Sequence, residues 1–312
     1  MKPSASGKLL AFTHKSTQMA IQKSVTLRFH PKNSVSSFPL IFEINSTDAM
    51  IDWMRTHLYL KFKLENSDGS PIDETKAGIV SVINYIGSTF FSRVRIYAQN
   101  ALIFDSLETH SYKAYIESLL FEPEEIKKTL LVSGLFYEDS GNERDQCDEN
   151  KNVGFKKRRN ATKNAVFTTI APIYADIFAP NTYYPRLVDY RIELFRNNDD
   201  FLLMASKIST EDVQLKLVQA EMRVHAVFPH ASFSLAFEKT LLKTPAVFNI
   251  KKVKFDFVCL HNKLLFLGGM SFYSLGNRPF RSPLHLPSRG HVASACHLFN
   301  GAINSLFWHK TD

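Results

Sequence analysis

The side chains best suited to metal chemistry lie near the C-terminus. His285, His291 and His297 recur at intervals of six residues, and Cys296 directly precedes the last of them. Imidazole nitrogens and thiolate sulfurs are ligands that zinc commonly takes in proteins. The spacing matches no zinc finger and no facial triad, so we interpret these residues as incidental loop side chains. The sequence therefore predicts no metal site and no cofactor.

The common sequence motifs of enzyme active sites do not occur in this chain. It contains no G-x-S-x-G nucleophile elbow, no H-E-x-x-H zinc helix, no P-loop and no G-x-G-x-x-G dinucleotide fingerprint. An enzyme would need converging titratable groups, and the sequence pattern indicates none. We therefore expect a protein that is not an enzyme and has no small-molecule substrate.

The strongest basic cluster is the run Lys156, Lys157, Arg158 and Arg159. Such a run binds nucleic acid or acts as a nuclear localisation signal. The alternative is a solvated loop whose charge is balanced by the acidic residues within 138–149, and we favour that alternative slightly. The four residues are kept as a candidate patch, and no specific nucleic-acid binding is expected.

Composition favours β structure in a chain long enough to bury a large core. Among 312 residues there are 26 Phe and 11 Tyr against only 12 Gly, and aromatic side chains suit a pleated, half-buried surface. The formal net charge is +8. A moderate excess of this size is compatible with a polyanionic partner, but it is more typical of a protein kept soluble by its charge.

Cysteine usage and hydropathy predict an intracellular setting, in the cytoplasm or nucleus. Cys147, Cys259 and Cys296 are odd in number and form no C-x-x-C pair, so no disulfide framework is indicated. The N-terminus has no long apolar segment typical of a signal peptide. No run of eighteen apolar residues occurs, and no membrane span is predicted.

The elements that must position these residues are mainly strands. Apolar and polar residues alternate over 58–64, 188–195 and 222–226, which is the period of a strand with one buried face. The apolar phase changes near Val218, which predicts a β-bulge or a bent strand. Residues 109–121 instead show the spacing of a helix with one apolar face. The pattern predicts an all-β antiparallel sandwich with short helices in its loops.

Several segments of the chain resemble a known family of capsid proteins. The segments are VINYIGSTFFSRVRIYAQNALI at 82–103, ETHSYKAYIESLLFEP at 108–123, and IAPIYADIFAPNTYYPRLVDYRIELFRNNDDFLLM at 170–204. VQLKLVQAEMRVHAVFPHASFSLAFEKTLLKTPAVFNIKKVKFDFV at 213–258 continues the series. They are similar, in order and distance, to blocks of the double jelly-roll, hexon-like major capsid protein of Maverick/Polinton elements and adintoviruses. The resemblance covers roughly residues 35–260.

The resemblance implies a structural virion protein. It implies two eight-stranded jelly rolls side by side, assembled as a pseudo-hexagonal homotrimer that contacts neighbouring capsomers and a penton-like minor capsid protein. Localisation in a virion is implied if the chain assembles. Two other hypotheses stay open: an intracellular β-sandwich protein-binding module without a capsid role, and an enzyme.

The expected organisation combines the resemblance with the strand pattern. It consists of a flexible N-terminal arm at 1–34, a first jelly roll at 35–231, a linking helix at 232–242, and a fragment of a second jelly roll at 243–312. Residues 243–260 are expected to form a strand that leans on the first roll or stays unpaired, and an irregular tail is expected beyond it. Too few residues follow for eight more strands, so we expect a C-terminally truncated copy, such as a decayed genomic element.

Overall fold

The strands of the protein were located in a computed structural model. It describes residues 20–45, 48–72, 80–141, 144, 146–163, 166–205, 213–241, 243, 256–260 and 263–267. The strands are β1 Ile21–Phe29, β2 Leu40–Ile44, β3 Met50–Asn66, β4 Val80–Val82, β5 Phe91–Ala98, β6 Ala101–Asp105, β7 Val166–Pro172, β8 Tyr183–Tyr184, β9 Tyr190–Arg196, β10 Leu203–Ala205, β11 Val213–Pro229, β12 Asp256–Leu260 and β13 Lys263–Leu267.

Short helices connect the strands. The α-helices are α1 Ile86–Thr89, α2 His110–Phe121, α3 Glu124–Lys128, α4 Val153–Thr162, α5 Asp199–Leu202 and α6 Ala231–Leu241. Single 3-10 turns occupy Leu107–Thr109, Leu131–Gly134 and Asp176–Phe178. The helix predicted over 109–121 is confirmed as α2, within one residue at its start.

Nine of the strands, eight long ones and the short β8, form two antiparallel sheets. Sheet 1 has the order β1-β11-β3-β7, with the short β8 also paired to β3, and sheet 2 has the order β2-β9-β5-β6. Along the chain, β1, β3, β7 and β11 enter sheet 1, while β2, β5, β6 and β9 enter sheet 2. Eight strands that wind between two sheets in this order are a jelly roll. The predicted antiparallel jelly-roll sandwich is thus confirmed.

Strand β3 shows why these residues form a sandwich. Leu58, Leu60 and Phe62 are buried in the space between the sheets, while the residues between them are partly exposed on the outer surface. Burying each such side chain contributes roughly 1.5–3 kcal/mol. The register of β11 against β3 shifts between Leu217 and Gln219, so the bulge predicted near Val218 is confirmed.

Aromatic packing joins the two sheets at one end of the sandwich. The Trp53 ring of β3 stacks on Phe178 with centroids 4.6 Å apart, and Tyr190 of β9 meets Trp53 edge-on at 5.1 Å. All three rings are buried. Such contacts contribute about 0.5–1.5 kcal/mol per pair beyond the burial of area.

The N-terminal boundary predicted from the sequence was wrong. Strand β1 lies within the region expected to be a flexible arm, and it pairs with β11 over eight register positions from Ile21–Pro229 to Phe29–Met222. Val25, Leu27 and Phe29 alternate with Thr26 and Arg28, so the sequence favours a strand here, but the domain boundary was set after it. The jelly roll therefore begins at residue 21, well before residue 35.

Beyond the jelly roll, the structure changes the expectation for the C-terminal strand. After α6, strand β12 pairs with β13, register Asp256–Leu267 to Leu260–Lys263, and not with the first roll. Strand β13 falls where an irregular tail was expected, because its five apolar-rich residues are too short a run to be recognised alone. Residues 244–255 and 268–312, assigned to a second-roll fragment and containing the C-terminal histidines, lie outside the described residues.

Candidate interaction surfaces

Helix α4 carries the basic cluster, and its first turn explains why this polar stretch is helical. The buried Asn152 side chain caps the helix by accepting a hydrogen bond from the backbone N–H of Phe155 at 3.0 Å. A cap of this kind satisfies an N–H that has no partner within the helix. The Phe155 side chain is fully buried and anchors the same turn. The segment is therefore a helix and not the predicted loop, whereas the predicted charge balance with the acidic residues within 138–149 is observed for Arg158 and Arg159.

Arg158 is the residue of the cluster that the fold itself uses. The whole side chain is buried, and Nη1 donates to Asp139 Oδ1 at 2.9 Å. Its Nε donates to the carbonyl oxygen of Val82 in β4 at 3.2 Å. Asn84 completes the network by donating from Nδ2 to the carbonyl oxygen of Tyr137 at 2.5 Å and to Asp139 Oδ2 at 3.2 Å. Arg158 holds α4 against β4 and cannot reach an external phosphate.

The remaining three residues of the basic cluster differ in their exposure to solvent. Arg159 forms an ion pair with Glu149, and its side chain is only 14% exposed. Lys156 and Lys157 lie on the exposed side of α4. The Lys157 ammonium is 5.9 Å from the centre of the Tyr137 ring. Two exposed lysines, and not a patch of four cations, are thus presented to solvent.

A second concentration of positive charge lies on the outer side of sheet 1, and sequence analysis missed it. We call it the basic sheet face: Arg28 on β1, Lys61 and Lys63 on β3, and Lys216 and Arg223 on β11. Lys61 and Lys63 are partly exposed residues that alternate with buried ones, and this alternation was visible in the sequence. The three strands are distant along the chain, so only their antiparallel register brings these cations together.

Two carboxylates lie beneath the basic sheet face. Glu65 is 2% exposed and pairs with Lys63, and with Lys216 at 3.4 Å. Hydrogen bonding from the Lys63 ammonium lowers the pKa of Glu65, which keeps this carboxylate ionised. Glu221 is 6% exposed, and its Oε1 lies 2.8 Å from Arg223 Nε and 3.8 Å from Arg28 Nε.

The outer side of sheet 2 is built differently. The Arg95 guanidinium packs 5.2 Å from the centre of the Phe195 ring, and Arg191 packs 4.2 Å from that of Tyr97. Each cation also has a carboxylate on the same surface: Arg93 and Arg95 with Asp105, Arg191 with Glu193, and Lys32 with Glu43. This face is close to neutral, and its aromatic rings are covered by guanidinium groups.

A buried group of ionisable side chains joins α2 to the 3-10 turn at Asp176–Phe178. Lys113 and Asp176 form an ion pair in which each side chain is 5% exposed, and Glu117 lies 3.8 Å from the same ammonium. Burial raises the pKa of Glu117. Complete burial, and secondly the charge of Lys113, lower the pKa of His110 to about 3. Because the ion pair connects two elements of the fold, we interpret these groups as a polar connection between them.

Helix α6 exposes the apolar side chains that a helix usually buries. Phe233 is 40% exposed and Leu235 is 59% exposed, whereas Ser234 between them is buried. The Phe233 and Phe237 rings stack with centroids 6.1 Å apart. Arg186 holds the helix against the sandwich through an ion pair with Glu238. A helix face of this kind marks a contact surface or a site of aggregation.

Neither a metal site nor a membrane-spanning helix is found in the described part of the chain. Among those residues, no three His, Cys, Asp or Glu side chains are grouped so that they could hold a metal ion. No helix among them is long and apolar enough to cross a membrane.

No protein-family model matches the chain. The chain is 25% identical over 197 residues to a Caenorhabditis elegans protein described as "Uncharacterized protein F54H12.2". The match covers 61% of this chain and 45% of that protein, so the chain spans less than half the length of this curated relative.

Comparisons of structure found viral proteins. A chain of the Sputnik virophage, solved by cryo-EM, superposes with a TM-score of 0.47 and 12% identity, over 83% of this chain and 56% of that one. The Faustovirus major capsid protein superposes with a TM-score of 0.46 and 8% identity, over 73% and 58% respectively. Because both scores lie below 0.5, the jelly-roll assignment rests on the strand order of the two sheets.

Proposed function

We propose that this protein is a structural virion protein, a major capsid subunit encoded by a Maverick/Polinton-like element. The observation that carries the proposal is the eight-stranded jelly roll formed by the segments that resemble that capsid family. The block at 82–103 supplies α1, β5 and the start of β6, and the block at 108–123 supplies α2. The block at 170–204 supplies the end of β7 and all of β8 and β9. The function then requires surfaces that bind further subunits, and no reacting group.

The proposed assembly is a pseudo-hexagonal homotrimer that contacts neighbouring capsomers and a penton-like minor protein within a virion. A pseudo-hexagonal trimer needs two similar lobes per chain. The resemblance places the second lobe after α6, where the chain continues into one further antiparallel pair of strands, β12 and β13. Symmetric closed assembly is the usual fate of a subunit with a self-complementary surface.

The long connection between β6 and β7 offers an apolar surface for such contacts. Leu120 is 47% exposed, Phe121 is 57% exposed and Leu130 is 65% exposed, and all three flank α3. Exposed apolar side chains are typical of protein interfaces when they form a patch. We expect this surface to be covered by a neighbouring subunit.

Light scattering coupled to size exclusion, with negative-stain microscopy of the eluted peak, tests the proposal on the full chain. We expect a mass three times the 35.6 kDa of one chain, and particles with a pseudo-hexagonal outline. The variant F121S/L130S should elute as a monomer, while V218S, an apolar side chain removed from the bulge of β11, should remain trimeric.

A different outcome would replace the proposal. A monodisperse wild-type monomer over a wide range of concentrations would favour the β-sandwich protein-binding module. A trimer that both variants leave intact would support assembly but would move the interface away from the surface around α3.

A further inference from the structure

The basic sheet face brings like charges directly opposite each other. Lys63 lies directly opposite Lys216, and Arg28 lies directly opposite Arg223, in the antiparallel register of sheet 1. Like charges in this position are destabilising unless a counter-ion lies between them. Each pair shares one buried carboxylate, so each group of three keeps one net positive charge at this surface.

The negative charges of the basic sheet face are buried, and its positive charges are more exposed. Glu65 and Glu221 are almost completely buried, at 2% and 6% exposure, whereas Arg28 and Lys216 are 68% and 58% exposed. Each carboxylate contacts two cations and neutralises only one of them. The carboxylates therefore hold the cationic side chains in place from below, and a ligand approaching from solvent meets positive charge.

The spacing of the cations suits a chain of phosphates. Lys61 and Lys63 are two residues apart on β3, which places their side chains roughly 6.6 Å apart along the strand. Gln219 and Thr168 lie beside Lys61 on the neighbouring strands, and both are exposed polar side chains that can donate to phosphate oxygens. Ammonium groups and polar side chains of this kind make the backbone contacts of nucleic-acid-binding proteins.

We propose that the basic sheet face binds the phosphate backbone of nucleic acid without sequence specificity. This inference does not depend on the proposed capsid role. The alternative partner, an acidic protein, fits less well because protein interfaces are centred on buried aromatic or apolar anchors. Tyr59, the aromatic side chain within this face, is instead covered by the Arg223 guanidinium, 4.5 Å from the ring centre.

The location differs from the basic run on α4, and this makes the proposal testable with matched variants. K61Q/K216Q removes two exposed positive charges from the basic sheet face. K156Q/K157Q removes two exposed positive charges from α4 and serves as the control. K61R/K216R keeps the charge, and should therefore retain binding, which distinguishes loss of contacts from loss of folding.

Fluorescence anisotropy of a labelled single-stranded DNA oligonucleotide, titrated with the full chain at a series of NaCl concentrations, is the measurement. We expect affinity to fall linearly with salt on a double logarithmic plot. For K61Q/K216Q we expect roughly tenfold weaker binding at low salt and a slope reduced by about 1.4, since each lost phosphate contact removes about 0.7 for a single strand. For K156Q/K157Q we expect the wild-type slope.

Three results would overturn the proposal. They are the absence of binding at low salt, an equal loss of affinity in K156Q/K157Q, and a slope that K61Q/K216Q leaves unchanged. Competition with poly-glutamate at equal charge concentration distinguishes the two kinds of partner. If poly-glutamate displaces the labelled oligonucleotide as effectively as unlabelled DNA does, the face binds an acidic protein. If it displaces the oligonucleotide only weakly, the result supports nucleic acid.

Discussion

The Arg158 guanidinium and the Asp139 carboxylate form a fully enclosed ion pair, with Nη1 2.9 Å from Oδ1 and side-chain exposures of 0% and 5%. The pair connects α4 to the segment that follows the 3-10 turn at Leu131–Gly134. Two charges taken out of water are stable only when each is paired and hydrogen-bonded. The carbonyl oxygens of Val82 and Tyr137 accept further hydrogen bonds from Arg158, and Asn84 Nδ2 donates to Asp139 Oδ2.

Replacing Arg158 should therefore destabilise the fold strongly. R158M leaves Asp139 buried without its cation, and we expect a loss of about 3–5 kcal/mol in the free energy of unfolding. Urea denaturation measures it. The double variant R158M/D139N should lose less than R158M alone, because the uncompensated carboxylate is gone. K157M, one residue earlier and exposed, should change stability by less than ~0.5 kcal/mol; similar effects of K157M and R158M would contradict the buried-pair argument.

The free energy of unfolding should decrease at acidic pH because of His110. The folded protein holds this imidazole at a pKa of about 3, against 6.5 for an ordinary histidine. Between those values the unfolded chain binds more protons, so stability is complete above about pH 6.5 and decreases as the pH falls, by at most ~1.4 kcal/mol per pH unit. H110L should remove this dependence.

Urea midpoints of wild type and H110L between pH 7 and 4 give the comparison. Glu117, whose pKa is raised by burial, acts in the opposite sense: its contribution is present at low pH and is lost as the pH rises through its folded pKa. Both proteins contain it, so their difference isolates His110. H230Q, which removes an exposed histidine, should keep the wild-type profile. Parallel profiles for wild type and H110L would refute the assignment.

The hairpin between β5 and β6 should respond in opposite directions to two substitutions at one position. Gln99 and Asn100 both have positive φ, 48° and 67°, as a two-residue hairpin turn requires. N100G should stabilise the fold slightly, because glycine is preferred at the second position of this turn. N100V should destabilise it by roughly 1–2 kcal/mol, because a β-branched side chain disfavours positive φ. Thermal unfolding tests both, and equal melting temperatures would argue against this turn.

Removing apolar side chains from α6 should reduce association without loss of stability. F233S/L235S replaces two exposed apolar side chains by hydroxyls, so we expect lower binding of an apolar fluorescent dye and less light scattering as protein concentration rises. M54S, a substitution at an exposed apolar residue on β3, is the control and should leave both signals near wild type. Unchanged dye binding in F233S/L235S would show that this face is already covered.

The periodicity of apolar residues was sufficient to predict a strand or helix that has one buried side and one side in water. The alternation over 58–64, the phase change at Val218 and the helical spacing over 109–121 each correspond to an observed element. Such periodicities follow directly from which side chains a strand or helix must bury. They failed for α4, which is held by contacts with distant residues and has little apolar periodicity of its own.

The sequence by itself determined the class of the protein: a β-rich chain whose alternating strands must form a sandwich, with helices in its connections. It also supplied every cation of the basic sheet face. Tertiary structure alone decided which cations act together, because β1, β3 and β11 become neighbours only through non-local pairing. It also decided that Arg158 leaves the basic run and enters the core, since a buried carboxylate from a distant turn is what makes burial of its charge tolerable.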